Sequence, residues 1–121
     1  MDLKILDAFD DELYHYLKYY FNRDYEKEHD KPLRIEKGKI FILGFDKGEF
    51  VGFCSRKGNI FGDVHIPEKH RGKKYASEFV SRLTRKGDRA VSRKPQMIHL
   101  FHKAGFTMTG RRGRALNFEW R

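Results

Sequence analysis

A chain of 121 residues suits one compact domain and leaves no room for a second. With 39% hydrophobic and 15% aromatic residues it can fill a core, which excludes wholesale disorder despite 36% charged residues. No apolar run approaches the ~20 residues that span a bilayer, the acidic opening "MDLKILDAFDDELYHY" is unlike a signal or transit peptide, and Cys54 is alone. These features exclude a disulfide framework and a cysteine zinc site, and a reduced, cytoplasmic protein is the expectation.

The net charge of +9 is unevenly spread. Residues 1–31 carry nine acids against five bases, whereas residues 69–94 carry ten bases against Glu78 and Asp88. An anionic partner for the second half, or a solvated basic face, follows from that asymmetry.

In chain order, "LKILDAF" alternates Leu3 and Ile5 with charged neighbours and predicts a first strand. Asp10 or Asp11 is a suitable N-cap, and Leu13, Leu17, Tyr20 and Phe21 then predict one helix running to about Glu28. "KIFILGF" (39–45) and "EFVGFCS" (49–55) flank the turn Asp46-Lys47-Gly48, and a second turn leads into "IFGDVHI" (60–66). The result is an antiparallel three-strand meander that Pro67, lacking an N–H, brings to an end. Tyr75, Ala76, Phe79, Val80 and Leu83 mark one face of a second helix. "DRAVS" (88–92) is a short strand. Pro95 opens a third helix with Met97, Ile98, Phe101 and Ala104 as its apolar face and Gly105 as its stop. Two alternating runs, "FTMT" and "ALNFEW", close the chain around Gly110 to Gly113. The predicted order is β-α-β-β-β-α-β-α-β-β, an α/β fold around one mixed central sheet in a single domain, residues 1–121. Exposed edge strands at the C-terminal end leave a dimer open.

Between the third meander strand and the second helix lies "HIPEKHRGKKYASEFV" (65–80). A strand end, a basic glycine-containing loop and a helix start together make an anion site, because the first helical amides are unpaired and the helix dipole adds positive charge. Neither a Walker loop nor a G-x-G-x-x-G fingerprint is present. "V-H-I-P-E-K-H-R-G-K-K-Y-A" (64–76) resembles the acyl-CoA signature [QR]-x-x-G-x-[GA] of the GNAT-type N-acetyltransferases. Downstream, "I-H-L-F-H-K-A-G-F" (98–106) is similar to that superfamily's L-Y-x-K-x-G-F helix, and the element order matches its fold.

The resemblance implies acetyl-CoA as co-substrate and an amine as acceptor. It implies that Val64 to Ile66 pair through their main chain with the pantetheine arm, with Val64 and Ile66 as contacts. It also implies that Arg71, Gly72, Lys73, Lys74, Tyr75 and Ala76 wrap the pyrophosphate, with Phe101 lining the cofactor site. Two departures are visible: Lys74 stands where the signature has its glycine, and Phe101 where many relatives carry a tyrosine credited as general acid. The candidate general bases are Asp63 and His65, which share strand parity on the last meander strand, and Ser92 is a candidate contact to the cofactor arm. The acidic first helix hints at a cationic amine or a basic protein as acceptor.

His99 and His102 share a helix face, but "HLFH" lacks the glutamate of H-E-x-x-H and a third ligand, so no metal site is expected. "KGEFVGF" (47–53) resembles an RNA-recognition run with its aromatics out of register. The basic stretch and the Arg111-Arg112-Gly113-Arg114 turn keep nucleic acid open as a partner or substrate. Three classes therefore stand: an acetyl-CoA-dependent N-acetyltransferase, a retired GNAT-fold binding protein of phage type, and a nucleic-acid binder or modifier on the same scaffold.

Overall fold

The computed structural model describes residues Met1–Arg121. Strand β1 (Asp2–Asp7) leads into helix α1 (Asp11–Leu17), a 3-10 turn (Lys18–Tyr20) and helix α2 (Arg23–His29). The meander follows as β2 (Lys39–Asp46), β3 (Glu49–Lys57) and β4 (Ile60–His65). A 3-10 turn (Glu68–His70) and a loop reach helix α3 (Tyr75–Leu83). Strand β5 (Arg89–Ser92), helix α4 (Pro95–Ala104), β6 (Thr107–Arg112) and β7 (Ala115–Glu119) complete the chain. The predicted order therefore holds, with two differences in packing and one in the first helix.

That helix is two helices. Asn22 adopts an extended conformation, and its side chain accepts a hydrogen bond from the Tyr25 N–H at 2.9 Å, capping a fresh helix. The break lets α2 turn its Tyr25, Glu28 and His29 face toward the end of β4 instead of continuing the line of α1. In β1, Leu6 rather than Ile5 is buried, and Ile5 is 63% exposed. In α4, Ile98 is 37% exposed while Leu100 packs against the core, because Met97, Leu100, Phe101 and Ala104 follow the 3.6-residue period and Ile98 does not.

The seven strands form one sheet in the order β1-β2-β3-β4-β5-β7-β6. Neighbours are antiparallel except β4 and β5, which run parallel and pair only at Ile60 with Arg89 and Phe61 with Ala90. Each face is covered. Phe61, Phe79, Val80, Ala90, Met97, Phe101, Phe106 and Phe118 pack with α3 and α4. Leu6, Leu13, Leu17, Tyr25, Leu33, Phe41, Leu43 and Phe53 form the second core under α1 and α2. Two apolar layers about one sheet are what a chain this size needs to keep its polar backbone paired while removing its apolar area from water. No helix is long and apolar enough to cross a membrane.

The β4/β5 seam is clamped at one end. Arg56 on β3 makes a bidentate pair with Asp88, both bonds at 2.8 Å, and also donates to the Leu83 carbonyl at the end of α3. Asp88 is only 1% exposed and also accepts from the Arg85 N–H at 2.8 Å. Beyond Phe61 the seam opens, for a local reason. Strand β4 carries a bulge opposite Cys54, where Asp63 sits at φ 51°. Further along β3, Gly52 faces His65 and Ile66 and has no Cβ; one would lie 2.7 Å from the His65 carbonyl, so only glycine lets the end of β4 come this close.

Candidate functional site

The opening between β4 and β5 is a narrow cleft. Gly62, Asp63 and Val64 form one wall, Val91, Ser92 and Arg93 the other, and Met97 and Phe101 line its apolar base. His29, Lys31 and Lys94 stand at its polar rim. Phe101 is 2% exposed and packs on Phe61, Phe106 and Phe118, so it serves the core while closing the cleft floor. Val64 and Ile66 are partly buried against the α3/α4 core. Beyond Phe61 the β4 backbone has no strand partner on the β5 side. The Ser92 hydroxyl accepts from the Lys94 N–H at 3.0 Å, which shapes the turn into α4 and sets Lys94 over the cleft.

The loop from Ile66 to Lys74 lies at the same end of the seam. Arg71 folds back: its Nε donates to the Ile66 carbonyl at 2.8 Å, and its guanidinium meets Glu28. His70 turns inward and is buried, with Nε2 3.5 Å from Glu49. Gly72 lies at φ 83° with open space around it. Lys74, the N-cap of α3, adopts φ 66°, ψ 19°, the left-handed conformation a glycine would take most easily. The residue thus departs from the signature while the backbone shape does not. No side chain caps α3, and the first intrahelical bond is from the Glu78 N–H to the Lys74 carbonyl, so the amides of residues 75–77 face outward unpaired. Lys73 and Lys74 are exposed beside them; Tyr75 instead donates to Asp46 Oδ2 at 2.5 Å, and Ala76 starts the packed face. The six loop residues named from the signature are therefore contiguous around one helix start.

Asp63 and His65 project on the face covered by α1 and α2, as their shared parity implied, but into different surroundings. Asp63 lies 2.7 Å from Lys39 Nζ and 3.6 Å from Lys31 Nζ, and it accepts from the Ser55 hydroxyl at 2.7 Å. Burial pushes its carboxyl up, but the two lysines and the hydrogen bonds outweigh it and hold it below the ordinary carboxylate range. A carboxylate so fully engaged is a weak base.

His65 is paired with a residue sequence reasoning did not select. His29 Nε2 and His65 Nδ1 are 2.8 Å apart, so one ring donates to the other. Tyr25 stacks on His29 at 4.1 Å and Tyr20 packs edge-on against His65 at 4.9 Å. Burial, helped by Lys94, pushes His29 down to about 3 and His65 to about 4, although Glu28, 3.9 Å from His65, pulls the other way. Both rings are neutral at pH 7. The buried Tyr25 hydroxyl beside them has no hydrogen-bond partner. Glu28, His29 and His65 place three donor atoms within 4.8 Å of one another, a spacing a metal ion could use. Lys94, 3.3 Å from Glu28, and Arg71 already bring two positive charges to that carboxylate, which opposes a third. The helical spacing of Tyr25, Glu28 and His29 was the only local signal for this cluster.

His99 and His102 are exposed on α4 and Cys54 is buried, its thiol pushed up by burial. Of the acids in the predicted first helix, Glu12 pairs with Lys4 of β1 at the far edge of the sheet, whereas Glu28 of α2 stands beside His65 and Lys94.

No family model matches the sequence, and no curated protein matches it. Solved structures do match its shape. Escherichia coli ElaA superposes with a TM-score of 0.70 at 13% identity over 98% of each chain. The GNAT domain of S. lividans PAT gives 0.68 at 14% identity, over 96% of this chain and 87% of that one. Aminoglycoside acetyltransferase AAC(6')-Ib, solved with coenzyme A and kanamycin, gives 0.65 at 14% identity over 96% and 91%. This chain therefore has the GNAT acetyltransferase fold.

Proposed function

We propose that this GNAT-fold chain is an acyl-CoA-dependent N-acyltransferase with acetyl-CoA as donor. The observation that carries the reading is the parted seam. A parallel strand pair that separates after two residues beside an uncapped helix start offers a slot with free strand edges at one end and an anion site at the other.

In this reading the pantetheine arm lies in the cleft, bonded to the free β4 main chain around Val64 and Ile66 as an added strand would be. The pyrophosphate meets the amides of residues 73–76, where Arg71, Lys73 and Lys74 add positive charge. Gly72 and the left-handed Lys74 give the backbone its close approach. Ser92 and the Phe101 base bound the arm on its other side. The acceptor amine enters from the face covered by α1 and α2, where His65 and Asp63 point. Its nitrogen attacks the thioester carbonyl, the C–S bond breaks, an amide forms and CoA leaves as thiolate. The amine proton is lost to water at the cleft rim, because imidazoles held at about 3 and about 4 accept a proton no better than Asp63 does. Phe101 has no proton to give, so the thiolate is protonated from solvent. The use of acetyl-CoA, a metabolite made inside cells, supports a cytoplasmic reading.

The test is thermal unfolding with acetyl-CoA, dephospho-CoA and ATP, followed by thiol release across an amine panel. At ~100 times its dissociation constant a ligand stabilises by about 2.7 kcal/mol, on the order of 10 °C for a small domain. A shift specific to acetyl-CoA supports the donor site. No shift at millimolar concentration rejects it. A shift without thiol release from any amine favours the retired binding protein, which the buried Phe101 suits.

A further inference from the structure

A larger cavity, of about 480 Å³, opens from the cleft onto the face from which the acceptor must come. The two spaces share Lys31, Gly62, Asp63, Val91 and Arg93, so a molecule seated in the larger one reaches the proposed thioester position directly. Its floor includes Ile60 and Val91, which are 49% and 45% exposed although they lie on strands. Its rim carries five cations: Lys31, Arg34, Lys39, Lys57 and Arg93. Against them stand two carboxylates, Asp63 and Glu36.

Those carboxylates neutralise only part of the rim. Asp63 is taken up by Lys39, Lys31 and Ser55. Glu36 is held by Lys57 at 2.9 Å. Arg34 has no ion pair, and Arg93 reaches only Asp30, at 3.9 Å. Cations concentrated in a concave site focus a positive field on whatever occupies it. An ammonium acceptor would be repelled, and a dianionic group would be drawn to the Arg34 side.

We infer that the acceptor is an amine carried on a phosphate-bearing molecule, whose phosphate sits on the Arg34, Lys57 and Arg93 rim while its amine points into the cleft. The inference rests on the proposed acyl transfer for the role of the site, but the pocket's preference for phosphate is independent of it. The volume lies in the range of small-molecule sites and suits an amino-sugar phosphate or one nucleotide unit. Of the acids in the predicted first helix, Glu12 lies at the far edge of the sheet and Glu28, beside the site, is already paired with Lys94 and Arg71.

The experiment is a pair of titrations of the full chain followed by 1H–15N correlation spectra. The first adds CoA, and shifts at residues 71–76 test the donor site by themselves. The second adds glucosamine 6-phosphate, or glucosamine, at saturating CoA. The phosphate should move the signals of Lys31, Arg34, Lys57 and Val91 and bind about tenfold tighter than the unphosphorylated amino sugar, or better. Arg34→Gln with Lys57→Gln should remove that preference and leave the CoA titration unchanged. A third arm with a short oligodeoxyadenylate separates the sources of phosphate: tighter binding that falls steeply with salt assigns a nucleic acid, and weaker binding assigns a small metabolite. Equal binding of glucosamine and its phosphate, or shifts that avoid this pocket, overturns the inference whether or not CoA binds. Failure of CoA alone overturns only the donor reading.

Discussion

The two ends of the β4/β5 seam are built from similar materials and behave oppositely. At the closed end one arginine meets one aspartate, and both carboxylate oxygens of Asp88 are engaged, by Arg56 and the Arg85 amide. At the open end charges are numerous and unevenly matched: Asp63 shares two lysines, Glu28 draws Lys94 and Arg71, and two buried imidazoles have little but each other. A satisfied polar network locks the closed end, while at the open end the bulge at Asp63 parts the strands and leaves charged groups at the mouth for a ligand. The core phenylalanines run beneath both ends, so apolar packing does not distinguish them.

Breaking the closed end should have the largest effect. Arg56→Ala leaves Asp88 buried and unpaired and should cost about 3 kcal/mol or more in urea denaturation. A loss below ~1 kcal/mol, the worth of a surface pair, would show that the clamp is not what closes the seam. At the open end, Arg71→Glu with Lys73→Glu should weaken acetyl-CoA binding by about 100-fold, some 2.7 kcal/mol, with an unchanged near-ultraviolet spectrum. Affinity that survives both reversals means the phosphates bind elsewhere.

The histidine pair sharpens the contrast through pH. Unfolded, each ring titrates near 6.5; folded, near 3 for His29 and 4 for His65. The unfolded chain therefore takes up more protons as pH falls, and the stability present above ~6.5 is lost progressively down to about 3. After allowance for solvent at the rim, the loss should be on the order of 2 kcal/mol. His29→Gln with His65→Gln should flatten the slope of melting temperature against pH in that window, and an unchanged slope would mean carboxylates alone set the acid limit. The smallest effect is expected at Lys74. Relief of its left-handed strain, ~1–2 kcal/mol, outweighs the entropy of a glycine, ~0.5–1 kcal/mol, so Lys74→Gly should raise the melting temperature by about 2 °C. A lower melting temperature would reveal a stabilising role for the lysine side chain.

Much of this was legible locally. Alternation in residues 39–66, the Asp46-Lys47-Gly48 turn and the Pro67 stop specify the meander, because strand and turn preferences act over a few residues. The Tyr75-to-Leu83 and Met97-to-Ala104 periodicities specify α3 and α4, and the basic loop before α3 is plain in "HRGKKYA". The break at Asn22 was missed because Tyr20 and Phe21 continue the helical count; the Asn22 side chain decides the matter by capping Tyr25 instead.

What the sequence by itself determined is therefore the set of elements, their order and the presence of a basic helix start, all products of interactions between near neighbours. Tertiary structure alone decided that β4 parts from β5 after two residues, that His29 meets His65 across 36 positions, and that Lys31, Arg34, Lys39, Lys57 and Arg93 share one rim. Those outcomes depend on charges and rings brought together by the packing of distant segments, and no periodicity along the chain records which distant partner a side chain will face.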